Sequence, residues 1–421
     1  MSGNFDHTAT EAKVVRRWLE SGLFRADVDG PGAETYSTPN SPPNVTGALH
    51  MGHALNASLR DTLVRYHRIR GRRTTWVFGT DHAGIATQSQ VEKQVRREGT
   101  SRTEMGRGPF EQRLWDWCDE YGGTITSQFQ RLGASADYSD PHFTLDDDYS
   151  RAVMKTFVHL YEKGCIYRDN YLVNWDPGSG SAISNFEVEN RDVDDEIFTI
   201  AYPLLGGGEI EIATVRPETI PGDTAIAVHP DDGRYRHLVG RQARSPIGDR
   251  TLPIVADEAI DPETGTGAVK VSPAHDPVDF EIAQRHDLET VGVIGEDGLI
   301  AAAAGKELAG LTVEEGRRRI LAALQDRGAL RAVARHTHSV PFSHRSGARI
   351  EPLISLQWFM RLEPLAGPAI EAIETGRVTI RPERWQRICL EWMREPTRWC
   401  ISRQLWWGHR PPVWYRGEET Y

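Results

Sequence analysis

Lysine is scarce in this chain. Only six of its 49 basic residues are lysine (Lys13, Lys93, Lys155, Lys163, Lys270 and Lys306), and the last 115 positions contain none. Cysteine is scarcer still. Cys118, Cys165, Cys389 and Cys400 form no Cys-x-x-Cys pair, which excludes a zinc finger and a disulfide framework and fits a reduced compartment. Long apolar runs are missing too: the longest, residues 299–304, is far too short to span a bilayer. The opening Met-Ser-Gly-Asn-Phe-Asp-His has no basic region followed by an apolar stretch, so no signal peptide is expected and the location expected is cytoplasmic.

What is present is ordinary for a globular protein. The chain has 421 residues, 39% hydrophobic and 26% charged, so wholesale disorder is not expected. Its length suggests two or three domains. The net charge of −11 argues against a uniformly basic nucleic-acid binder, although a local patch can still hold a phosphate backbone.

Local patterns give an outline. Thr8-Ala9-Thr10-Glu11 has capping-box spacing, and Ala12, Val15, Trp18 and Leu19 follow at helical period, with Gly30-Pro31-Gly32 as a break. A β-prone piece at residues 35–38 precedes a helix over 48–70 with Leu49, Leu55, Leu59, Leu63 and Tyr66 on one face. A buried strand at 74–78 and a helix from about Ala86 continue a rhythm that predicts a parallel α/β sheet. Helices are expected over 110–132 and 149–163, with Asp146-Asp147-Asp148 complementing a helix dipole rather than binding metal. From about 190 to 300 the texture changes to short β-rich pieces, including 209–213, 224–228 and 267–272, the mark of a separate inserted domain. A strand at 353–359, a helix near 366–374 and an aromatic-rich stretch over 385–415 follow.

The most informative segment is Pro42-Pro43-Asn44-Val45-Thr46-Gly47-Ala48-Leu49-His50-Met51-Gly52-His53-Ala54. It sets a strand end, a tight turn and a helix N-terminus in succession, and the free N–H groups of that terminus favour an anion. His50 and His53, three apart, share a face and can donate to phosphate oxygens as charge builds up in phosphoryl chemistry. Gly52 removes a side chain and lets a ring approach the backbone. Read alone, a His-x-x-His pair is a surface or core feature, and zinc lacks a third ligand at the right spacing. The whole string, however, resembles the ATP-binding signature of the class I aminoacyl-tRNA synthetases, and its wording resembles their valine-specific branch most. Gly79-Thr80-Asp81-His82-Ala83-Gly84-Ile85-Ala86-Thr87-Gln88 resembles that family's amino-acid loop, and Trp399-Cys400-Ile401-Ser402-Arg403-Gln404-Leu405-Trp406-Trp407-Gly408-His409-Arg410 its return segment. The resemblance implies ATP contacts at Thr46, Gly47, His50, Gly52 and His53. It implies catalytic His50 and His53, an α-amino site at Asn44 and Asp81, and a side-chain pocket walled by Pro42 and Pro43.

Two further strings, Thr214-Val215-Arg216-Pro217-Glu218-Thr219 and residues 265–279, resemble the two halves of the family's editing site. An apolar pocket rejects threonine against valine by only about 10², a figure measured on this very pair of amino acids, so a second, hydroxyl-requiring hydrolytic site is useful. The resemblance implies that Asp276 holds the free amino group and is catalytic for editing, with Thr214, Arg216, Thr219, Lys270, Ser272 and Asp279 shaping the pocket and water as nucleophile. Val215, Thr264 and Ser272 depart from the family pattern, which has Thr, an aromatic residue and Thr there. Where some relatives carry a cysteine-rich zinc knuckle this chain has Trp175-Asp176-Pro177-Gly178-Ser179-Gly180, so no structural zinc is expected. Arg60, Arg65, Arg68, Arg70, Arg72 and Arg73 concentrate charge that suits either tRNA phosphates or a solvated helix face.

The fold expected is therefore α/β: an incomplete Rossmann-like nucleotide-binding domain of class I synthetase type with an inserted β-rich editing domain. The expected boundaries are 1–34 (helix and lead-in), 35–189 (first Rossmann half), 190–345 (editing insert of connective-polypeptide type) and 346–421 (return segment). The resemblance runs from Phe5 to Trp414 but covers about the first half of such an enzyme. The family's Lys-Met-Ser-Lys-Ser loop and anticodon-binding bundle are not expected in a chain with no lysine after Lys306. The expected function is ATP-dependent joining of valine to tRNA(Val) in a monomer, with Mg²⁺ accompanying ATP and with hydrolysis of threonyl-tRNA(Val). The alternatives are a stand-alone editing hydrolase and a non-catalytic truncated paralogue that binds tRNA.

Overall fold

A computed structural model describes residues 6–25, 34–396, 398–417 and 419–420. The break expected at Gly30-Pro31-Gly32 lies outside the described residues. By its internal packing the chain divides into two units, one of residues 1–160 with 405–421 and one of residues 161–404.

The first unit begins with α1 (His7–Ser21). Its N-cap is Asp6, whose carboxylate accepts from the Ala9 N–H at 3.0 Å. The expected capping box at Thr8 is thus corrected: an ionised carboxylate at Asp6 is available two residues earlier, and it complements the helix dipole better than a hydroxyl. Strand β1 (Thr35–Pro39), helix α2 (Met51–Ile69) and strand β2 (Arg73–Thr80) form a parallel crossover. After α3 (Gly84–Arg97), α4 (Arg102–Met105) and α5 (Arg107–Leu132), strand β3 (Asp137–Phe143) joins β2 in parallel, giving the order β1-β2-β3, and α6 (Asp147–Glu162) follows. Asp147 and Asp148 sit in the first turn of α6, where they complement its dipole. Alternation along β2 buries Trp76 and Phe78 against Ala57 and Val64 of α2, Val91 and Val95 of α3 and Phe110, Leu114, Ile125 and Phe129 of α5.

Helix α2 does not turn its leucine stripe to the sheet. The Leu55, Leu59, Leu63 and Tyr66 face is exposed, with Leu59 63% accessible, whereas the small Ala57 and β-branched Val64 face the sheet. Periodicity reports that a face is apolar, not which neighbour covers it. Leu59→Ser should leave stability within about 0.5 kcal/mol of the parent, whereas Val64→Ala should cost roughly 1–3 kcal/mol. Urea titration of the two variants checks this. The clustered arginines serve the fold as well. Arg60 donates to Asn40, Arg65 to Asp61 and the Gly133 carbonyl, Arg68 to Ser135, and Arg72 pairs with Glu34.

The second unit opens with β4 (Ile166–Asp176) and the short β5 (Ser181–Ile183). Then come the long β6 (Val188–Pro203), β7 (Glu209–Thr214), β8 (Ala225–Val228), β9 (Gln242–Arg244), β10 (Thr251–Ala256) and β11 (Ala268–Val271). Helices α7 (Pro277–His286) and α8 (Val313–Asp326) precede β12 (Leu330–Ser343) and β13 (Glu351–Met360), and α9 (Glu363–Glu374), α10 (Glu383–Arg394) and β14 (Trp399–Cys400) close the unit. Three sheets result: β14-β13-β4-β5, β12-β6-β7 and β11-β8-β10-β9. The largest apolar cluster joins Phe198, Ile200 and Tyr202 of β6 to Ile226 and Val228 of β8 and to Ile320 and Leu324 of α8. The fully buried Asp176 accepts from Gly178 N and from the hydroxyls of Ser179, Ser343 and Ser346. That carboxylate ties the turn after β4 to the turn after β12, a separation of 167 residues in sequence at Ser343.

Candidate functional sites

The first unit gathers its candidate residues at the carboxyl ends of β1 and β2, where open parallel sheets place ligands. Beyond β1 the chain rejoins β2's extension through an isolated parallel bridge between Asn44 and Asp81. Asp81 N donates to Pro43 O at 2.9 Å and Val45 N to Asp81 O at 3.0 Å, so both expected α-amino ligands sit on one backbone ladder. Asp81 Oδ1 accepts from Ala83 N at 2.7 Å, and Ala83 has a left-handed backbone, φ +50°. Such a conformation costs a non-glycine residue about 1–2 kcal/mol, and strain of this kind gathers at functional loops. Pro42 lines a cavity of about 210 Å³ with Pro39, Phe78 and Thr144, whereas Pro43 is buried and does not line it.

His50 is the N-cap of α2 and His53 its third residue. The two imidazoles cap reciprocally: His50 Nδ1 accepts from Gly52 N at 3.1 Å and His53 Nδ1 from His50 N at 3.2 Å. This leaves each Nε2 carrying the proton, as a donor. Their centroids are 3.9 Å apart at an interplanar angle of 33°. A Cβ at Gly52 would stand 2.9 Å from His50 Cε1, which is why glycine lies beneath this ring. Burial, then the neighbouring His50, lower the His53 pKa and favour the neutral ring. Thr46 and Gly47 occupy the turn immediately before, with Gly47 at φ +156°.

The return string meets this loop. Gln88 Oε1 accepts from Trp406 N and Trp407 N, and Trp407 Nε1 donates to His82 O at 2.8 Å. Thr144 was not singled out in the sequence because no motif marks it. It nonetheless contacts His82 Nδ1 at 2.6 Å and Asp81 Oδ1 at 3.4 Å. Burial lowers the His82 pKa to about 4, outweighing the pull of Asp81.

The second unit holds a cavity of about 370 Å³. Every residue of the expected hydrolytic set lines it: Thr214 from β7, Arg216 and Thr219 from the following turn, Lys270 from β11, and Ser272, Asp276 and Asp279 from the β11–α7 connection. Asp276 is the N-cap of α7 and is exposed; its Oδ1 accepts from Val278 N at 2.8 Å and Asp279 N at 3.1 Å. Asp279 is buried and accepts from Ser272 N at 2.8 Å. Burial and then the charge of Asp276 push its pKa up to about 7, against Lys270 and the Ser272 hydrogen bond. Arg216 binds Glu218, Glu351 and the His275 carbonyl. Burial opposes its charge, but the two carboxylates outweigh that and hold the guanidinium ionised. His275 Nε2 accepts from Val293 N at 2.8 Å, and burial takes its pKa down to about 3, so this ring is neutral. Glu218 and His275 lie in the two strings without an assigned role and Glu351 lies in neither, because their roles depend on contacts between distant segments.

The raised Asp279 pKa has a stability consequence. A carboxyl whose folded value lies above its ordinary 3.8 supports the fold fully below about pH 4, and that support is lost as pH rises through 7. Asp279→Asn should therefore gain stability on the parent between pH 4.5 and 8, by at most about 3 kcal/mol at roughly 1.4 kcal/mol per pKa unit. Urea titrations at the two pH values measure it.

These features define a class before they define a member. The protein-family model described as tRNA synthetases class I (I, L, M and V) matches residues 13–421, and the chain belongs to that family. Among curated proteins it is 48% identical over 418 residues to the valine–tRNA ligase of Synechocystis sp., covering 99% of this chain and 46% of the relative. It is 49% identical over 421 residues to the valine–tRNA ligase of Gluconobacter oxydans, covering 96% and 47%. A solved ternary complex titled Agrobacterium radiobacter K84 agnB2 LeuRS-tRNA-LeuAMS aligns with TM-score 0.40 at 18% identity, covering 83% of this chain and 49% of that one. The chain spans about half the length of the curated relatives it matches. Among the described residues, no helix is long and apolar enough to cross a membrane.

Proposed function

We propose that this chain is the amino-acid-activating and editing part of a valine–tRNA ligase. The observation that carries the reading is the juxtaposition at the sheet end. A helix N-terminus bearing two adjacent imidazoles, tilted by 33°, follows directly on the turn in which Asn44 is bridged to Asp81. In this reading the valine ammonium lies against Asp81 and Asn44, a charge-assisted contact. The ATP phosphates lie along Thr46, Gly47 and the start of α2, where free N–H groups and the helix dipole favour negative charge. The valine carboxylate attacks the α-phosphorus and pyrophosphate leaves, while the Nε2–H groups of His50 and His53 donate to the phosphate oxygens as charge shifts. Mg²⁺ would arrive with ATP and neutralise phosphate charge. Among the described residues no group of three or more His, Cys, Asp or Glu could hold an ion by itself.

Residues 190–345 serve as the editing domain. The amino group of a mischarged threonyl ester lies on Asp276, water adds to the ester carbonyl, and the ribose hydroxyl of the terminal adenosine leaves. tRNA(Val) is the partner, and the monomer the working form. The test is ATP–pyrophosphate exchange by the full-length protein. Exchange that requires valine supports the reading, and exchange that valine does not stimulate rejects it.

A further inference from the structure

The polar floor of the 370 Å³ cavity is organised by a residue that does not line it. Asp223 follows the 3₁₀ turn Pro217–Gly222 and is fully buried. Its Oδ2 accepts from the Tyr202 hydroxyl at 2.8 Å, and its Oδ1 accepts from Ser272 Oγ at 2.7 Å and from Lys270 Nζ at 3.3 Å.

The hydrogens can be counted. Lys270 has three N–H bonds, and its three acceptors are Thr219 Oγ1 at 2.6 Å, Ser272 Oγ and Asp223 Oδ1. The Thr219 hydroxyl gives its own hydrogen to Arg216 O at 3.0 Å, and the Ser272 hydroxyl gives its own to Asp223. Every N–H and O–H of the three floor side chains is therefore committed within the protein. Each hydroxyl oxygen has one lone pair filled by Lys270 and one remaining. Toward a ligand, these two hydroxyl oxygens accept and do not donate.

We infer that Asp223 is a positioning residue that commits the hydrogens of Lys270 and Ser272 within the protein, leaves the Thr219 and Ser272 hydroxyl oxygens as acceptors toward the cavity, and so sets its preference for a substrate side chain that offers a hydroxyl hydrogen. The inference rests on the editing reading above. It adds a residue outside every motif and a physical origin for the selection. Without the carboxylate the Ser272 hydrogen loses its acceptor and is free to turn into the cavity. Lys270 then becomes a buried ammonium without its counter-charge. A floor so altered no longer rewards a hydroxyl over a methyl group.

The test uses the 421-residue chain and two non-hydrolysable amides of 2′-amino-2′-deoxyadenosine, one threonyl and one 2-aminobutyryl, which differ in the hydroxyl group. Calorimetry on the parent chain should give at least tenfold tighter binding of the threonyl amide. With Asp223→Ala, which removes the oxygen that Ser272 and Lys270 share, that ratio should fall to within twofold of unity, while 2-aminobutyryl affinity changes by less than threefold. Tyr202→Phe, which removes the donor that fixes Oδ2 and so lets the carboxylate turn away from Ser272, should lower the ratio at least threefold and serves as the test should Asp223→Ala fail to fold. An unchanged ratio in the folded variants, or a parallel loss of both ligands, overturns the positioning role. A parent chain that binds neither amide, or both alike, overturns instead the editing reading beneath it.

Discussion

His53→Ala lowers valine-dependent ATP–pyrophosphate exchange in the full-length protein by about 10²–10³-fold, the usual loss when one preorganised donor to a developing charge is removed. Burial and the adjacent His50 favour the neutral form of this ring, and its Nδ1 is occupied by the His50 N–H. Its Nε2–H is thus a fixed, uncharged donor at the start of α2, needing no reorganisation as the reaction proceeds. The same substitution removes half of the reciprocal cap, which on its own costs about 1 kcal/mol of stability. A thermal unfolding curve therefore accompanies the assay. A variant that unfolds within a few degrees of the parent yet loses the rate places the effect in the chemistry. A folded variant with parental exchange would remove His53 from the mechanism.

Asp276→Asn, by contrast, separates a cap from a charge. Asparagine caps helices about as well as aspartate, and the bonds from Val278 N and Asp279 N fall on a single oxygen that an amide also provides. The fold should hold. What disappears is the negative charge offered to a substrate ammonium, and charge-assisted bonds contribute roughly 1.5–3 kcal/mol. Deacylation of threonyl-tRNA(Val) by the full-length protein should accordingly fall about 10–100-fold, with amino-acid activation unaltered. Removing the negative charge of Asp276 should also bring the Asp279 pKa down, because that charge helps to raise it. Parental deacylation in this variant would contradict the role assigned to Asp276.

Much of both sites was legible in the residues. The string from Pro42 to Ala54 predicts a turn and a helix N-terminus, and α2 begins at Met51 with His50 as its cap. The two separated strings at residues 214–219 and 265–279, which the resemblance assigns to one site, line one cavity. What stayed hidden depends on long-range packing. Asp223 belongs to no motif and acquires its meaning only when Tyr202, Lys270 and Ser272 converge on it. The pairing of β6 with β12 joins segments more than 120 residues apart, beyond any local pattern. The apolar stripe of α2 was visible, but its exposure was not, because periodicity cannot name the neighbour. The α1 cap moved to Asp6 because two residue types suited for capping lay close together and the ionised one fits the helix dipole better.

In the proposed reading the first unit carries an activating loop and the second a cavity that recognises the mistake a valine pocket makes most easily. The most direct measurement is the affinity of the 421-residue chain for threonyl and valyl amides of 2′-amino-2′-deoxyadenosine. Side chains of nearly equal shape leave hydrogen bonding as the main difference between these ligands. The threonyl amide should bind at least tenfold tighter, a preference abolished by filling the cavity with Thr219→Tyr. Equal affinity for the two, or a preference for the valyl amide, would contradict it.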